Sequence, residues 1–315
     1  MAVTFKVIDL NREDIAEEEA RNGFEKWDNF TGTDAKVTFD WYAELCRQQP
    51  GTVTGVKLVS GHIQSDDKEA LKAQERAYGD IVYNFRYLTD QERKSLFPNP
   101  SKHAIHFTSY AAEGNQYVPY LKEQLLNLGV LFVERVVKNI DEIEKITKIK
   151  IIQLAEEGYE VIVNSAGLNA GNLAGDDDGD LSLCEGYEEC TAPKPVKKCS
   201  VPAAYRKFEI GMLRVKQMKR SDGEVTDEDR RDILERYEQL QPAMKGAKIL
   251  SEWCGLRPAR ASIRVESQKK MSRTGKKYTL VHHYGHGGHG FTVGWGSARR
   301  AAALVDQAIR DRAKL

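Results

Sequence analysis

The sequence predicts an α/β fold, and the middle of the chain supports the prediction with one helix and two apolar runs. VPYLKEQLLNLG (118–129) has the apolar spacing of an amphipathic helix and ends on Gly129, a residue favoured at helix C-termini. The apolar run VLFVERVV (130–137) follows, then a charged helical stretch, then YEVIVNSAG (159–167), which ends in a turn of small residues. Strand, helix and strand in this order are typical of the parallel units of a mononucleotide-binding sheet.

Strands and helices are also predicted on both sides of this unit. GVKLVSG (55–61) and IVYNFRYL (81–88) are predicted strands, and LTDQERKSLF (88–97) is a predicted helix that begins with a capping box from Thr89 to Glu92. Residues 174–204 combine acidic residues, cysteines, prolines and lysines without periodicity, which predicts an irregular insert. The remaining predictions are a strand at 208–218, a helix at 226–240, short strands near 247–254 and 261–266, and a final amphipathic helix at 297–313.

The composition restricts the class of protein. Hydrophobic residues make up 41% of the chain and charged residues 30%, an ordinary globular composition. Lys and Arg together number 47, as do Asp and Glu, so no nucleic-acid partner is expected. No apolar run reaches the roughly 18 residues that span a bilayer, so no membrane association is expected either. Five cysteines, an odd and sparse set, indicate reduced thiols and an intracellular location.

The segment HHYGHGGHGFTVGWG (282–296) holds four histidines and six glycines. The spacing of His283, His286 and His289 suits a zinc site, but the glycines disfavour a helix and no Asp, Glu or Cys completes the ligands, so no metal is predicted. Glycine permits positive φ and lets a ligand approach the main chain. A strand, a glycine loop and a helix in this order are typical of cofactor binding.

The segment GLRPARASIRVE (255–266) contains Arg257, Arg260 and Arg264 among strand-forming residues. A guanidinium binds a carboxylate through two parallel, charge-assisted hydrogen bonds. One of these arginines is therefore a candidate anchor for a substrate carboxylate. The alternative is that all three are surface residues on the edge of a strand.

These segments resemble the D-amino-acid oxidase and D-aspartate oxidase family of FAD flavoenzymes. HHYGHGGHGFTVGWG is similar to the family's C-terminal signature, and GLRPARASIRVE to its Gly-aromatic/Leu-Arg-Pro-x-Arg segment. EVIVNSAGLNAGNLAGD (160–176) is similar to its Val-Asn-Cys-x-Gly-x-x-Ala turn. Weaker matches follow in the same order from roughly residue 27 to the end, apart from the 174–204 insert.

The resemblance implies a partial FAD-binding, Rossmann-like parallel sheet interleaved with an antiparallel-sheet substrate domain. The corresponding division of the chain is an atypical N-terminal segment (1–26), interleaved FAD-binding and substrate-domain elements (27–173), the irregular insert (174–204), the substrate domain (205–264) and a return to the FAD-binding domain with its C-terminal helix (265–315).

The resemblance also implies a reaction and its site. FAD oxidises a D-amino acid to an imino acid, O2 reoxidises the cofactor to give H2O2, and hydrolysis releases a 2-oxo acid and ammonia. No side chain is required as a base. Arg257 matches the substrate-carboxylate arginine, the Gly288 carbonyl matches the group that binds the amine, and Tyr205 is the nearest candidate for a substrate tyrosine. The implied FAD contacts are Val137, Ser165, Ala166, Gly167, Gly287, Gly288, His289, Gly290, Phe291 and Thr292.

The N-terminal segment departs from the family pattern. The family begins with a strand and a G-x-G-x-x-G turn that binds the FAD pyrophosphate. Residues 1–26 contain a single glycine, Gly23, and therefore no such motif. The alternative function is therefore a catalytically impaired or non-flavin-binding derivative, such as a splice form or an incomplete gene product. Leu256 in GLRPAR resembles the D-aspartate oxidase branch of the family, which implies acidic substrates, D-aspartate or D-glutamate, and neutral D-amino acids remain open.

The C-terminus ends in Ala313-Lys314-Leu315, a conservative variant of the Ser-Lys-Leu peroxisomal signal. Members of the family that the chain resembles are commonly peroxisomal, which suits an activity that produces peroxide. The sequence therefore predicts binding to a peroxisomal import receptor and a location in the peroxisomal matrix, or in the cytoplasm if the tripeptide is not read.

Overall fold

The computed structural model describes residues 5–9, 29–132, 158–174, 182–192, 210–218, 226–240, 242, 245–246, 248–272 and 274–313. The strands are β1 (Phe5–Asp9), β2 (Val56–Ser65), β3 (Tyr83–Tyr87), β4 (His103–Ala112), β5 (Val161–Asn164), β6 (Ser182–Ala192), β7 (Ile210–Met218), β8 (Lys248–Met271) and β9 (Lys277–His286). The α-helices are α1 (Asn29–Gln48), α2 (Gly51–Thr54), α3 (Lys68–Tyr78), α4 (Asp90–Leu96), α5 (Gly114–Asn127), α6 (Ala170–Ala174), α7 (Asp227–Leu240) and α8 (Gly290–Arg312). In these ranges no helix combines the length and the apolar character needed to cross a membrane.

A four-stranded sheet has the order β1-β2-β4-β3. Strand β1 runs parallel to β2, so part of the N-terminal segment is a strand of this sheet, while β2–β4 and β3–β4 are antiparallel. Leu71 of α3 packs against Ile63 and Ile105 and forms the apolar core on one face of the sheet. Burial of these aliphatic side chains supplies the main stabilisation of the α3 contact.

A five-stranded sheet has the order β5-β9-β8-β6-β7 and contains the three sequence motifs. Strand β8 pairs with β6 along its first half, up to Ala259, and with β9 along its second half. Strand β5 is parallel to β9, and the other pairs are antiparallel. The α/β prediction is confirmed, although most strand pairs in the described residues are antiparallel.

Locally encoded elements agree with the sequence predictions. The predicted capping box is present: the Thr89 hydroxyl accepts from the Glu92 N–H, and the Glu92 carboxylate accepts from the Thr89 N–H. Helix α5 ends two residues before Gly129, which has the predicted left-handed conformation at φ +80°. Strand β7 and helix α7 match the predicted ranges within two residues.

Three predictions of local structure are wrong. Residues 182–192 of the predicted irregular insert form β6, because pairing with β7 and β8 on both sides satisfies their backbone groups without side-chain periodicity. The two short strands predicted near 247–254 and 261–266 are one strand of 24 residues. Pairing becomes irregular after Ala259 without ending the strand. Residues 130–132 are not a strand, and the rest of the run to residue 137 lies outside the described residues.

The fourth correction concerns the glycine segment. It was predicted to be non-helical throughout, but α8 begins at Gly290, directly after a 3-10 turn over Gly287–His289. Helix propensity is a weak preference that tertiary packing overrides. Farther along α8, Gly296 allows close packing with α1, which offsets the cost of glycine in a helix, about 1 kcal/mol.

Candidate active site

The three motifs found in the sequence meet on strand β8. A Cβ placed on Gly167, in the turn after β5, would lie 3.6 Å from Pro258 Cγ. A Cβ on Gly287 would lie 3.4 Å from the Cβ of Ala259, and one on Gly288 would lie 3.9 Å from Arg257 Nη1. The turn after β5, the arginine segment and the glycine loop are therefore parts of one site.

The glycine loop presents bare backbone at the start of a long helix. Gly285 has φ +89°, and a Cβ there would lie 2.7 Å from Arg260 Cδ, so both conformation and space require glycine. Gly288, Gly290, Phe291 and Thr292 are exposed, and no atom lies within 4 Å of a Cβ built on Gly290. The first N–H groups of α8 give this surface a positive partial charge, which suits a ligand that places negative charge beside it.

The three arginines of the segment differ in the contacts that their guanidinium groups make. The guanidinium groups of Arg260 and Arg264 lie 5.9 and 5.7 Å from the centroid of the Tyr284 ring. Arg264 also donates to the Tyr284 hydroxyl (2.6 Å) and to Glu266 (2.7 Å). Arg257 lies beside Gly288, and among the described residues its guanidinium makes no hydrogen bond or ion pair. Arg257 is therefore the arginine that is free to bind a substrate carboxylate.

The side chain of Asn164, the last residue of β5, stabilises the turn that follows this strand. The Asn164 side chain donates to the Ala170 carbonyl (2.8 Å) and accepts from the Ala166 N–H (3.3 Å). These bonds leave Ser165 and Ala166 exposed beside β8. The Ser165 hydroxyl lies 3.5 Å from Nδ1 of His283.

Two histidines of the glycine segment share one buried hydroxyl. Nε2 of His283 and Nε2 of His286 each lie 2.9 Å from Ser297 Oγ, which has no exposed surface. Burial, followed by the charges of His283 and Arg300, lowers the pKa of His286 to about 4, so this imidazole is neutral at pH 7. Within the described ranges, no group of three His, Cys, Asp or Glu side chains is arranged to hold a metal ion.

Helix α1 supports the first turns of α8, and the sequence reasoning missed its role. The Thr38 hydroxyl accepts from the Gly296 N–H (3.0 Å), and Trp41 stacks on Trp295 with ring centroids 3.9 Å apart. The Tyr42 hydroxyl donates to the carbonyl of Phe291, one of the residues that would contact the cofactor, at 2.9 Å. Burial raises the pKa of Tyr42 well above its usual value, which keeps this donor protonated.

A signal for these contacts exists in the sequence. Asp34, Thr38, Trp41 and Tyr42 follow the i, i+4, i+7, i+8 spacing of one helix face, and this face combines polar and aromatic residues. Val137 and Tyr205 lie outside the described residues, so their cofactor-binding and substrate-binding roles stay predictions.

Comparisons with known proteins agree with the family resemblance found in the sequence. Residues 35–304 match the model of the family described as FAD dependent oxidoreductase. The chain is 52% identical over 282 residues to D-aspartate oxidase 1 of Caenorhabditis elegans, a match that covers 87% of this chain and 80% of that protein. It is 50% identical to D-aspartate oxidase 2 of Caenorhabditis briggsae, with 87% and 81% covered.

The fold also resembles solved structures. One is glycine oxidase from Geobacillus kaustophilus, with a TM-score of 0.59 at 17% identity, covering 87% of this chain and 77% of that one. This similarity concerns the fold, because the identity is low. The sequence and structure comparisons agree on the type of scaffold.

Proposed function

The chain belongs to the FAD dependent oxidoreductase family that contains the D-aspartate and D-amino-acid oxidases, and we propose that its preferred substrates are the acidic D-amino acids, D-aspartate and D-glutamate. Its reaction is the FAD-dependent oxidative deamination of a D-amino acid with O2. The two nematode relatives quoted above are both D-aspartate oxidases, which supports the acidic preference. Leu256, which resembles the D-aspartate oxidase branch at this position of the arginine segment, supports it as well.

The position of Arg257 beside the glycine loop is the structural observation that supports an amino-acid substrate. Its guanidinium has no partner among the described residues and lies next to Gly288, whose carbonyl would accept a hydrogen bond from the substrate amine. A carboxylate held at Arg257 and an amine held at Gly288 fix two substituents of the same Cα. The two enantiomers then differ by exchange of the Cα hydrogen and the side chain, and a hydride acceptor on one side of Cα supplies the third point that selects one of them.

The described residues fit the flavin end of FAD. The exposed residues Ser165 and Ala166, and the exposed residues Gly288, Gly290, Phe291 and Thr292, belong to two segments that reach β8 within the stretch Arg257–Ala259. These segments would hold the cofactor together with Gly287. When bound, FAD supplies a hydride acceptor for the substrate Cα and passes electrons to O2. The N-terminus of α8 stabilises negative charge placed beside Gly290. Because the amine reacts in its neutral form, no side chain is needed to remove a proton from Cα.

Steady-state kinetics of Arg257→Ala test the proposal. Loss of a charge-assisted bidentate contact lowers kcat/KM by roughly 10²- to 10³-fold. The matched control is Arg299→Ala, since Arg299 is exposed on α8, and it should leave kcat/KM unchanged. Peroxide release is measured with D-aspartate, D-glutamate, D-alanine and L-aspartate. Absence of peroxide from every D-amino acid after addition of FAD contradicts the activity, and a higher kcat/KM for D-alanine contradicts the acidic preference.

We also propose that Ala313-Lys314-Leu315 directs the protein to the peroxisomal matrix through an import receptor. The tripeptide differs from Ser-Lys-Leu only at its first position, and both residues there are small. The test is a fluorescent protein fused to the N-terminus of the full chain, compared with the same fusion lacking the last three residues. Punctate fluorescence that becomes diffuse in the truncated fusion supports the proposal, and diffuse fluorescence of both contradicts it.

A further inference from the structure

Four side chains form a continuous hydrogen-bonded series under the glycine loop. The Ser165 hydroxyl lies 3.5 Å from His283 Nδ1, and the other ring nitrogen of His283 lies 2.9 Å from Ser297 Oγ. Ser297 Oγ lies 2.9 Å from Nε2 of His286. The series begins in the turn after β5 and ends at the residue that precedes Gly287, so it connects the two backbone segments that would contact FAD.

The single hydrogen of the Ser297 hydroxyl restricts where the two histidines carry their protons. A hydroxyl has one hydrogen and two lone pairs, and Ser297 Oγ has three neighbours: the two imidazoles and the carbonyl of Gly294, 3.2 Å away. Only one of the three can receive the hydrogen. At least one imidazole therefore carries its proton on Nε2 and donates to Ser297.

The glycine loop depends on anchors outside itself. Gly287, Gly288 and Gly290 have no side chains with which to pack, and ordering such backbone costs more entropy than ordering other residues. At the end of the loop, the Phe291 carbonyl is held by Tyr42. At its start, His286 is held by Ser297, which is itself fixed in a buried part of α8.

We propose that His283, Ser297 and His286 are positioning residues that hold the turn at Ser165 and the glycine loop at the separation required for FAD binding. This inference rests on the proposed function, because it concerns the same cofactor. The residues act through the backbone of the loop and through Ser165. The charge of Arg300 acts on both histidines, that of Asp34 on His283, and that of His283 on His286; Asp34 and Arg300 are already paired with each other.

The first experiment measures the FAD dissociation constant of the apoprotein by flavin fluorescence. Ser297→Ala should raise the dissociation constant at least tenfold. The matched control is Ser65→Ala: Ser65 is also fully buried and its hydroxyl also accepts one hydrogen bond, from the Asp67 N–H, but it lies in the other sheet. The control should stay within twofold of wild type even though it loses stability.

The second experiment uses the wild-type chain and therefore does not depend on the folding of a variant. Histidine side chains labelled with 15N should show an Nε2-protonated tautomer for His283 or His286, and FAD should shift the Nε2 signals of both. The signals of His62 and His106, which bond to each other in the four-stranded sheet, should not move.

The outcomes distinguish this inference from the proposed function. If the wild type binds FAD and oxidises D-amino acids, but FAD leaves both signals in place or Ser297→Ala binds FAD as tightly as wild type, the positioning role is wrong and the function stands. If the wild type does not bind FAD, the proposed function is overturned, and the positioning role with it.

Discussion

Gly296 in α8 lies directly against the backbone of Asp34 in α1. A Cβ on Gly296 would come within 3.0 Å of both the Cα and the carbonyl of Asp34, closer than side-chain packing allows. The contact brings the Gly296 N–H to the Thr38 hydroxyl and stacks Trp41 on Trp295 with ring planes 7° apart. Glycine is therefore required at position 296 by the approach of two helices.

Gly296→Ala should lower the free energy of unfolding by about 3 kcal/mol, because the added methyl group forces α1 and α8 apart. Urea denaturation of the apoprotein measures the change. Gly294→Ala is the matched control: Gly294 lies two residues earlier in α8, and a Cβ built on it meets no atom within 4 Å. This variant should gain up to about 1 kcal/mol from helix propensity. Equal effects of the two substitutions would mean that the helices do not pack as described.

Arg300→Gln should destabilise the protein by about 3 kcal/mol. Asp34 is 1% exposed and receives two donors from Arg300, the shorter at 2.7 Å, so removal of the arginine leaves a buried carboxylate without its counter-charge. The expected loss is at the lower end for buried pairs because Arg300 retains 31% of its side-chain exposure. Arg299→Gln, on the exposed side of α8, should change stability by less than about 0.5 kcal/mol.

The double variant Asp34→Asn/Arg300→Gln provides a further check on this ion pair. It should be more stable than Arg300→Gln alone, because a neutral amide in place of the carboxylate removes the uncompensated charge. Thermal unfolding of the four proteins of the cycle measures the coupling. A double variant as unstable as the sum of the two single variants would contradict the assigned pair.

Tyr42→Phe should weaken FAD binding roughly fivefold, since it removes a hydrogen bond worth about 1 kcal/mol to the Phe291 carbonyl. Isothermal titration of the apoprotein with FAD measures the change. Tyr120→Phe is the control, because the Tyr120 hydroxyl makes no hydrogen bond in the part of the chain that the structure describes. Unchanged affinity of Tyr42→Phe would show that this anchor does not shape the loop.

Stability should fall as the pH falls from 6.5 towards 4. The pKa of His286 is lowered from an ordinary 6.5 to about 4, so in this range the unfolded chain binds a proton that the folded chain does not. The loss amounts to about 3 kcal/mol at the acidic end, and the contribution is fully present above pH 6.5. The free energy of unfolding should depend less on pH in His286→Gln than in wild type. Identical slopes in the two proteins would contradict the assignment to His286.

The sequence was sufficient wherever the physical signal is local. The capping box at Thr89, the left-handed residue Gly129 and the helical period of α7 each depend on a few neighbouring residues, and each was predicted. The convergence of the glycine loop, the arginine segment and the turn at Ser165 was implied only by the family resemblance. No local rule relates residues that are separated by roughly thirty to ninety positions.

Other features depend on pairing and packing that a single sequence does not reveal. Strand β6 has acidic and polar residues in place of the expected alternation, and it is ordered by its two neighbouring strands. The histidines of the glycine segment were considered as metal ligands because of their spacing. The actual partner of His283 and His286, Ser297, lies in what was predicted to be an ordinary amphipathic helix. The division of roles among the three arginines likewise required the position of Tyr284.

Strand β8 has a thermodynamic consequence for ligand binding. The strand changes partners at Ala259, from β6 on one side of that residue to β9 on the other, and Arg257 lies two residues away. A carboxylate at Arg257 and a ring system on the glycine loop therefore restrict the same stretch of backbone. When one ligand orders that stretch, the entropic cost of binding the second ligand is smaller. By linkage, each ligand raises the affinity of the other by the same factor. Substrate and cofactor should accordingly bind with positive cooperativity.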